Sequence, residues 1–75
     1  MVLVIWDYNE KVYSKMFKLE DIMHKKELKL NGRKPNKLII PENLYIGKTK
    51  KKLKRLCAYN AKIITIKDKH DIQRT

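Results

Sequence analysis

Seventy-five residues make one domain, because a chain this short buries only about 60 to 65% of its unfolded surface and cannot divide a core in two. Its 43% apolar content is periodically spaced, which favours a folded chain over a disordered one and predicts a modest stability that homodimerisation would help. Nineteen Lys and Arg against eight Asp and Glu give a formal charge of +11, which makes nucleic acid the expected partner and excludes an acidic DNA mimic.

The excess is nearly all lysine, with arginine only at Arg33, Arg55 and Arg74. A lysine-, isoleucine- and asparagine-rich chain is also what an AT-rich genome produces by codon composition alone. Scarce arginine favours contact with the phosphate backbone over bidentate reading of base edges. Cys57 is the single cysteine, so no intramolecular disulfide forms; the residue reads as a small buried apolar side chain in a reducing compartment. The opening apolar run Met1 to Trp6 lacks a preceding basic residue, and no stretch approaches about 18 apolar residues, so neither a signal peptide nor a membrane span is predicted. The chain reads as soluble and cytoplasmic.

In chain order, Val2-Leu3-Val4-Ile5-Trp6 is apolar at both alternating positions, which predicts a central strand covered on two faces. Asp7 ends it and, with Glu10, approximates a capping box for a following helix. Val12, Met16, Leu19, Met23 and Leu30 then fall at helical spacing, with Lys29, Asn31-Gly32 and Pro35 as stop signals. The alternative makes Val12 to Leu19 a strand, paired with the first through a Tyr8-Asn9-Glu10 turn, and shortens the helix to begin near Glu20. Leu38-Ile39-Ile40 and Leu44-Tyr45-Ile46, separated by Pro41-Glu42-Asn43, predict a small hairpin. Gly47-Lys48 leads into a basic helix with Thr49 as N-cap and Asn60 as its end. Leu53, Leu56, Cys57 and Ala61 mark its inner face. Lys62-Ile63-Ile64-Thr65-Ile66 predicts the last strand, and a polar tail follows from about residue 68.

The predicted order is a single α+β domain of ferredoxin-like type, βαββαβ. An N-terminal β-hairpin followed by two helices and a C-terminal strand is the alternative. The topology itself assigns no activity.

The chemistry concentrates in the predicted second helix. Helix N-termini attract anions, yet Lys48, Lys50, Lys51, Lys52, Lys54 and Arg55 place cations there. The pairs Lys48 and Lys52, Lys50 and Lys54, and Lys51 and Arg55 repel at i,i+4 by roughly 0.2 to 0.5 kcal/mol each. No acid lies between Glu42 and Asp68 to relieve them. The expectation is a phosphate-contacting face, with Tyr59 as a stacking or sugar contact and Arg33, Lys34 and Lys37 as a second basic cluster; a solvated helix face is the plainer account. Trp6 and Tyr45 on neighbouring strands would form a stacking platform if open, but burial beneath a helix is the stronger expectation.

Gly47-Lys48-Thr49 echoes the end of a P-loop, but the glycine required five positions earlier is Glu42, which excludes an NTPase of that kind. His24 and His70 lack metal-ligand spacing, and no cofactor or metal is expected. An acid at the end of a first, central strand loosely resembles the small CRISPR-associated endonuclease-like subunits and related ribonuclease toxins. That resemblance, limited to Val2 to Asp7 and the element order, implies a metal-dependent nuclease using Asp7 as a minor alternative; helix capping accounts for the residue fully. The leading expectation is a non-enzymatic nucleic-acid-binding regulator or accessory factor of a phage or mobile element. A basic inhibitor or adaptor of a host protein is the second.

Overall fold

Val2–Tyr8 forms strand β1 and Lys11–Phe17 forms β2, joined by a two-residue turn in a computed structural model that describes residues 1–67. The polar tail predicted from residue 68 lies outside the described residues. Asn9 and Glu10 sit at φ of 53° and 61°, the left-handed pair of a type I′ turn, whose twist matches that of the strands it joins. The hairpin pairs all seven residues of each strand, from Val2 with Phe17 to Tyr8 with Lys11.

The predicted long helix through Val12 to Leu30 is therefore replaced by the alternative hairpin. Two features of the segment account for this. Val12, Tyr13 and Phe17 are β-branched or aromatic and lose side-chain freedom in a helix. The hairpin also supplies β1 with a neighbour along its whole length, which a helix cannot do. What remains helical is α1, the single stretch Leu19–Met23, anchored by fully buried Ile22. Asp7 lies inside β1 and caps no helix.

After α1 the chain runs irregularly, with Leu28 buried. Asn31 and Gly32, predicted to end a helix, form a second left-handed pair at φ of 52° and 77°. They close a tight turn in which Leu30 and Arg33 exchange backbone hydrogen bonds of 2.9 and 3.0 Å. Asn36 then fastens this segment to β1. Its side-chain amide donates to the Asp7 carbonyl at 3.0 Å, and its side-chain oxygen accepts from the Asp7 N–H at 2.9 Å.

Lys37–Pro41 forms β3, antiparallel to β1 and parallel to the last strand, β4, at Lys62–Ile66. The sheet order is β2-β1-β3-β4, so β1 is interior, as expected. The hairpin predicted at 38–46 is absent because β3 already pairs on both sides. Leu44-Tyr45-Ile46 finds no free edge, and Pro41 leads into a single 3₁₀ turn, Glu42–Leu44.

The basic helix α2 spans Gly47–Leu56. It begins without a side-chain cap: Ile46 holds the N-cap position, and Thr49 contributes only its backbone N–H, 3.1 Å from the Ile46 carbonyl. It ends at Leu56, not Asn60, because Cys57 turns extended at ψ 163°. The element order is thus ββαβαβ with the 3₁₀ turn before α2, a four-stranded mixed sheet in a small α+β domain, in place of the ferredoxin-like order.

Val2, Val4, Trp6, Leu38 and Ile40 project to one side of the sheet, where Ile22, Leu28, Leu53, Leu56 and Cys57 complete the core. Among the described residues nothing covers the opposite face, contrary to the prediction that β1 is buried on both sides. Both helices are spent on the first face, so Leu3, Ile5 and Ile39 are only half-buried. No helix among the described residues is long and apolar enough to cross a membrane.

Candidate nucleic-acid interface

Leu53 and Leu56, three residues apart and fully or nearly fully buried, fix which way α2 faces. At about 100° per residue, seating them on the core sends Lys51 and Arg55 directly outward, with Lys48 and Lys54 beside them and Lys50 and Lys52 at the margins. Exposure agrees: Lys52 is half-buried and the other five are exposed. Six cations therefore spread around one helix. The one ion pair among the described residues lies elsewhere, Lys29 Nζ to Glu27 at 3.5 Å on the surface, so no acid is set against this charge.

Local contacts trim the edges of the cluster. Lys50 Nζ stands 5.7 Å from the Tyr45 ring centroid, a cation–π contact that shields the ring edge of the core. Lys34 Nζ donates to the Arg55 carbonyl at 3.5 Å, at the helix end whose dipole favours a cation. The structure thus brings Lys34 from the preceding loop to the C-terminal turn of α2, held there by the Ala58 N–H donating to the Pro35 carbonyl at 2.8 Å.

The other members of the loop cluster go elsewhere. Arg33 sits with its guanidinium carbon 5.1 Å from the centre of the Tyr8 ring, and Tyr8 stacks on Tyr13 at 5.5 Å. Lys37 pairs in register with Ile5 and so projects from the uncovered sheet face, away from α2. Tyr59 is fully exposed in the turn beyond the helix. It rims a cleft of about 290 Å³ with Tyr45, Lys54, Cys57, Ala58 and Ile63. Cys57 at the base of this cleft is buried, and burial pushes its thiol up to about 11, with Lys34 pulling modestly the other way. It is an inert apolar side chain at neutral pH.

Trp6 offers no stacking platform. It is 5% exposed, with its indole N–H donating to the Arg33 carbonyl at 3.0 Å, and Tyr45 lies outside any strand. Sequence reasoning missed a further basic pair. Lys15 and Lys25 stand 5.3 and 5.6 Å from the Phe17 ring centroid, beside a cleft shared with Trp6, Tyr13 and Leu28. The alternating pattern of β2 was the only available signal, and the helical assignment of Val12 to Leu30 concealed it. Among the described residues, no three His, Cys, Asp or Glu side chains come together in a way that could hold a metal.

Fold and surface together define a two-layer α+β domain with a basic helical layer. Compared with known protein families, functionally described proteins and solved structures, the chain shows no match.

Proposed function

We propose that the protein is a small non-enzymatic nucleic-acid-binding module, acting as a regulator or accessory factor, that grips phosphates with the outer surface of α2. One observation carries the reading: six cations on one helix, their apolar counterparts buried, with no neighbouring acid among the described residues. Such an arrangement costs helix stability through self-repulsion and, for Lys48 and Lys50 in the first turn, an unfavourable dipole. A polyanion reverses the sign of both terms. Lys51, Arg55, Lys48 and Lys54 contact phosphates, Lys50, Lys52 and Lys34 extend the footprint, and Tyr59 offers a ring to a base or sugar.

Fluorescence anisotropy against labelled duplex DNA, single-stranded DNA and RNA over a salt series tests this. Four to six phosphate contacts predict a log–log salt slope of about −4 to −5 on duplex DNA, from roughly 0.9 per contact. The triple variant Lys51→Glu, Lys52→Glu, Arg55→Glu is expected to lose on the order of 100-fold or more in affinity at low salt while keeping its circular dichroism spectrum. Unchanged affinity in that folded variant, or negligible wild-type binding near physiological salt, overturns the reading.

A further inference from the structure

We infer that the uncovered sheet face is the interface of a homodimer, formed by stacking the sheets of two copies. The face is legible from register. Met16, Leu3, Ile39 and Ile64 form one row across all four strands, and Ser14, Ile5, Lys37 and Lys62 form the next. Pro41 and Ile66 extend the apolar end, and Val12 and Asp7 extend the other. Val12, Met16, Ile64 and Ile66 are 67, 53, 40 and 47% exposed, a concentration of large apolar side chains that single scattered surface residues do not produce.

Charge marks the face as distinct. Of the nineteen Lys and Arg in the chain, Lys37 and Lys62 are the ones the strand register places here, with Asp7 at the same end. A surface with few cations among the described residues, on a molecule of charge +11, is one where a second copy can approach without strong repulsion.

Symmetry then selects the arrangement. Sheets that stack face to face lie about 10 Å apart with strands within about 30° of alignment. A two-fold axis along the strands, passing between β1 and β3, sets β1 over the partner's β3 and β2 over the partner's β4. The apolar rows then meet each other, and Asp7 comes beside Lys37 of the partner subunit, in two equivalent copies. An axis across the strands would instead press the charged end onto the apolar end and strand both ions. Four strands about 4.8 Å apart and five residues deep present roughly 300 Å² in projection. With side-chain relief, pairing would bury about 1,000 Å² in total, near the lower limit for a specific interface, so a weak, concentration-dependent dimer is expected. Both α2 helices would face outward from the sandwich. The inference stands independently of what α2 binds.

Sedimentation velocity on the whole chain from micromolar to near-millimolar concentration tests it. A monomer–dimer equilibrium is expected, abolished in the exposed-site variant Met16→Lys, Ile64→Lys, whose circular dichroism should be unchanged because neither side chain is in the core. Asp7→Lys should weaken the dimer at least tenfold, and adding Lys37→Asp should restore it; the restoration distinguishes this interface from a general loss of structure. A monomer at every concentration overturns the proposal, as it would if the face instead serves a different protein or the tail from residue 68. So does a dimer indifferent to these substitutions.

Discussion

At the scale of single residues, backbone conformation is the sharpest constraint. Glu10 occupies φ 61° in the β1–β2 turn, where a side chain is strained and glycine is not. Glu10→Gly is expected to stabilise the protein by about 0.5 to 1 kcal/mol in urea unfolding, since relief of strain outweighs the greater entropy of the unfolded chain. Gly47 shows the converse. It enters α2 at φ 53°, and a Cβ there would meet nothing within 4 Å, so the penalty for Gly47→Ala is conformational alone, about 1 kcal/mol. A Gly47→Ala protein as stable as the wild type would mean that the chain enters α2 differently. Both positions lie at element boundaries, and at both the sequence carries a turn residue, Asn9 or Gly47, whose partner in structure only the backbone angles reveal.

At the scale of elements, α2 sets stability against binding. Its first turn carries Lys48 and Lys50 and no acid, opposite in sign to what the helix dipole favours. Lys50→Glu removes a repulsive i,i+4 pair with Lys54 and places an acid in the first turn, though it gives up the contact with Tyr45. The expected net result is a stabilisation of about 0.5 kcal/mol together with weaker polyanion binding, read by thermal melting and anisotropy on the same variant. A variant less stable and equally tight in binding would show that the lysines serve packing rather than recognition. The helix itself was legible in sequence from Leu53, Leu56 and the run of lysines, as were β1 and β4 from their β-branched content. The segment from Val12 to Leu30 was not. Val12, Met16, Leu19 and Met23 satisfy helical spacing, but Val12, Tyr13 and Phe17 also suit a strand, and the choice rests on the unpaired edge of β1, which periodicity within the segment does not register. Preferring the helix over the alternative hairpin in turn hid Lys15 and Lys25 as neighbours.

At the scale of the whole molecule, the two surfaces of the domain differ in kind: a basic helical layer and an apolar sheet face with few charges. Added salt screens the self-repulsion of a molecule with net charge +11, so its melting temperature should rise between low and moderate ionic strength. Affinity for a polyanion should fall over the same range. The two responses of opposite sign, measured by calorimetry and anisotropy in one buffer series, separate charge repulsion within the fold from charge attraction to a ligand. A melting temperature that falls with salt would indicate stabilising ion pairs, of which Lys29 with Glu27 is the one present among the described residues.

Sequence by itself determined the α+β class, the strands at both ends of the described fold, the inward face of α2 and the charge of its outward face. These follow from composition and from periodicities within single elements, which depend on near neighbours. Only the tertiary structure decided that Val12 to Phe17 pairs with β1, that Lys34 joins α2 while Lys37 faces the other way, and that the described residues leave one side of the sheet bare. The first depends on which edge of β1 is left with free hydrogen-bonding groups, the second on how the 34–37 loop is tied to β1 and α2, and the third on two short helices packing against the same side of a sheet with two faces.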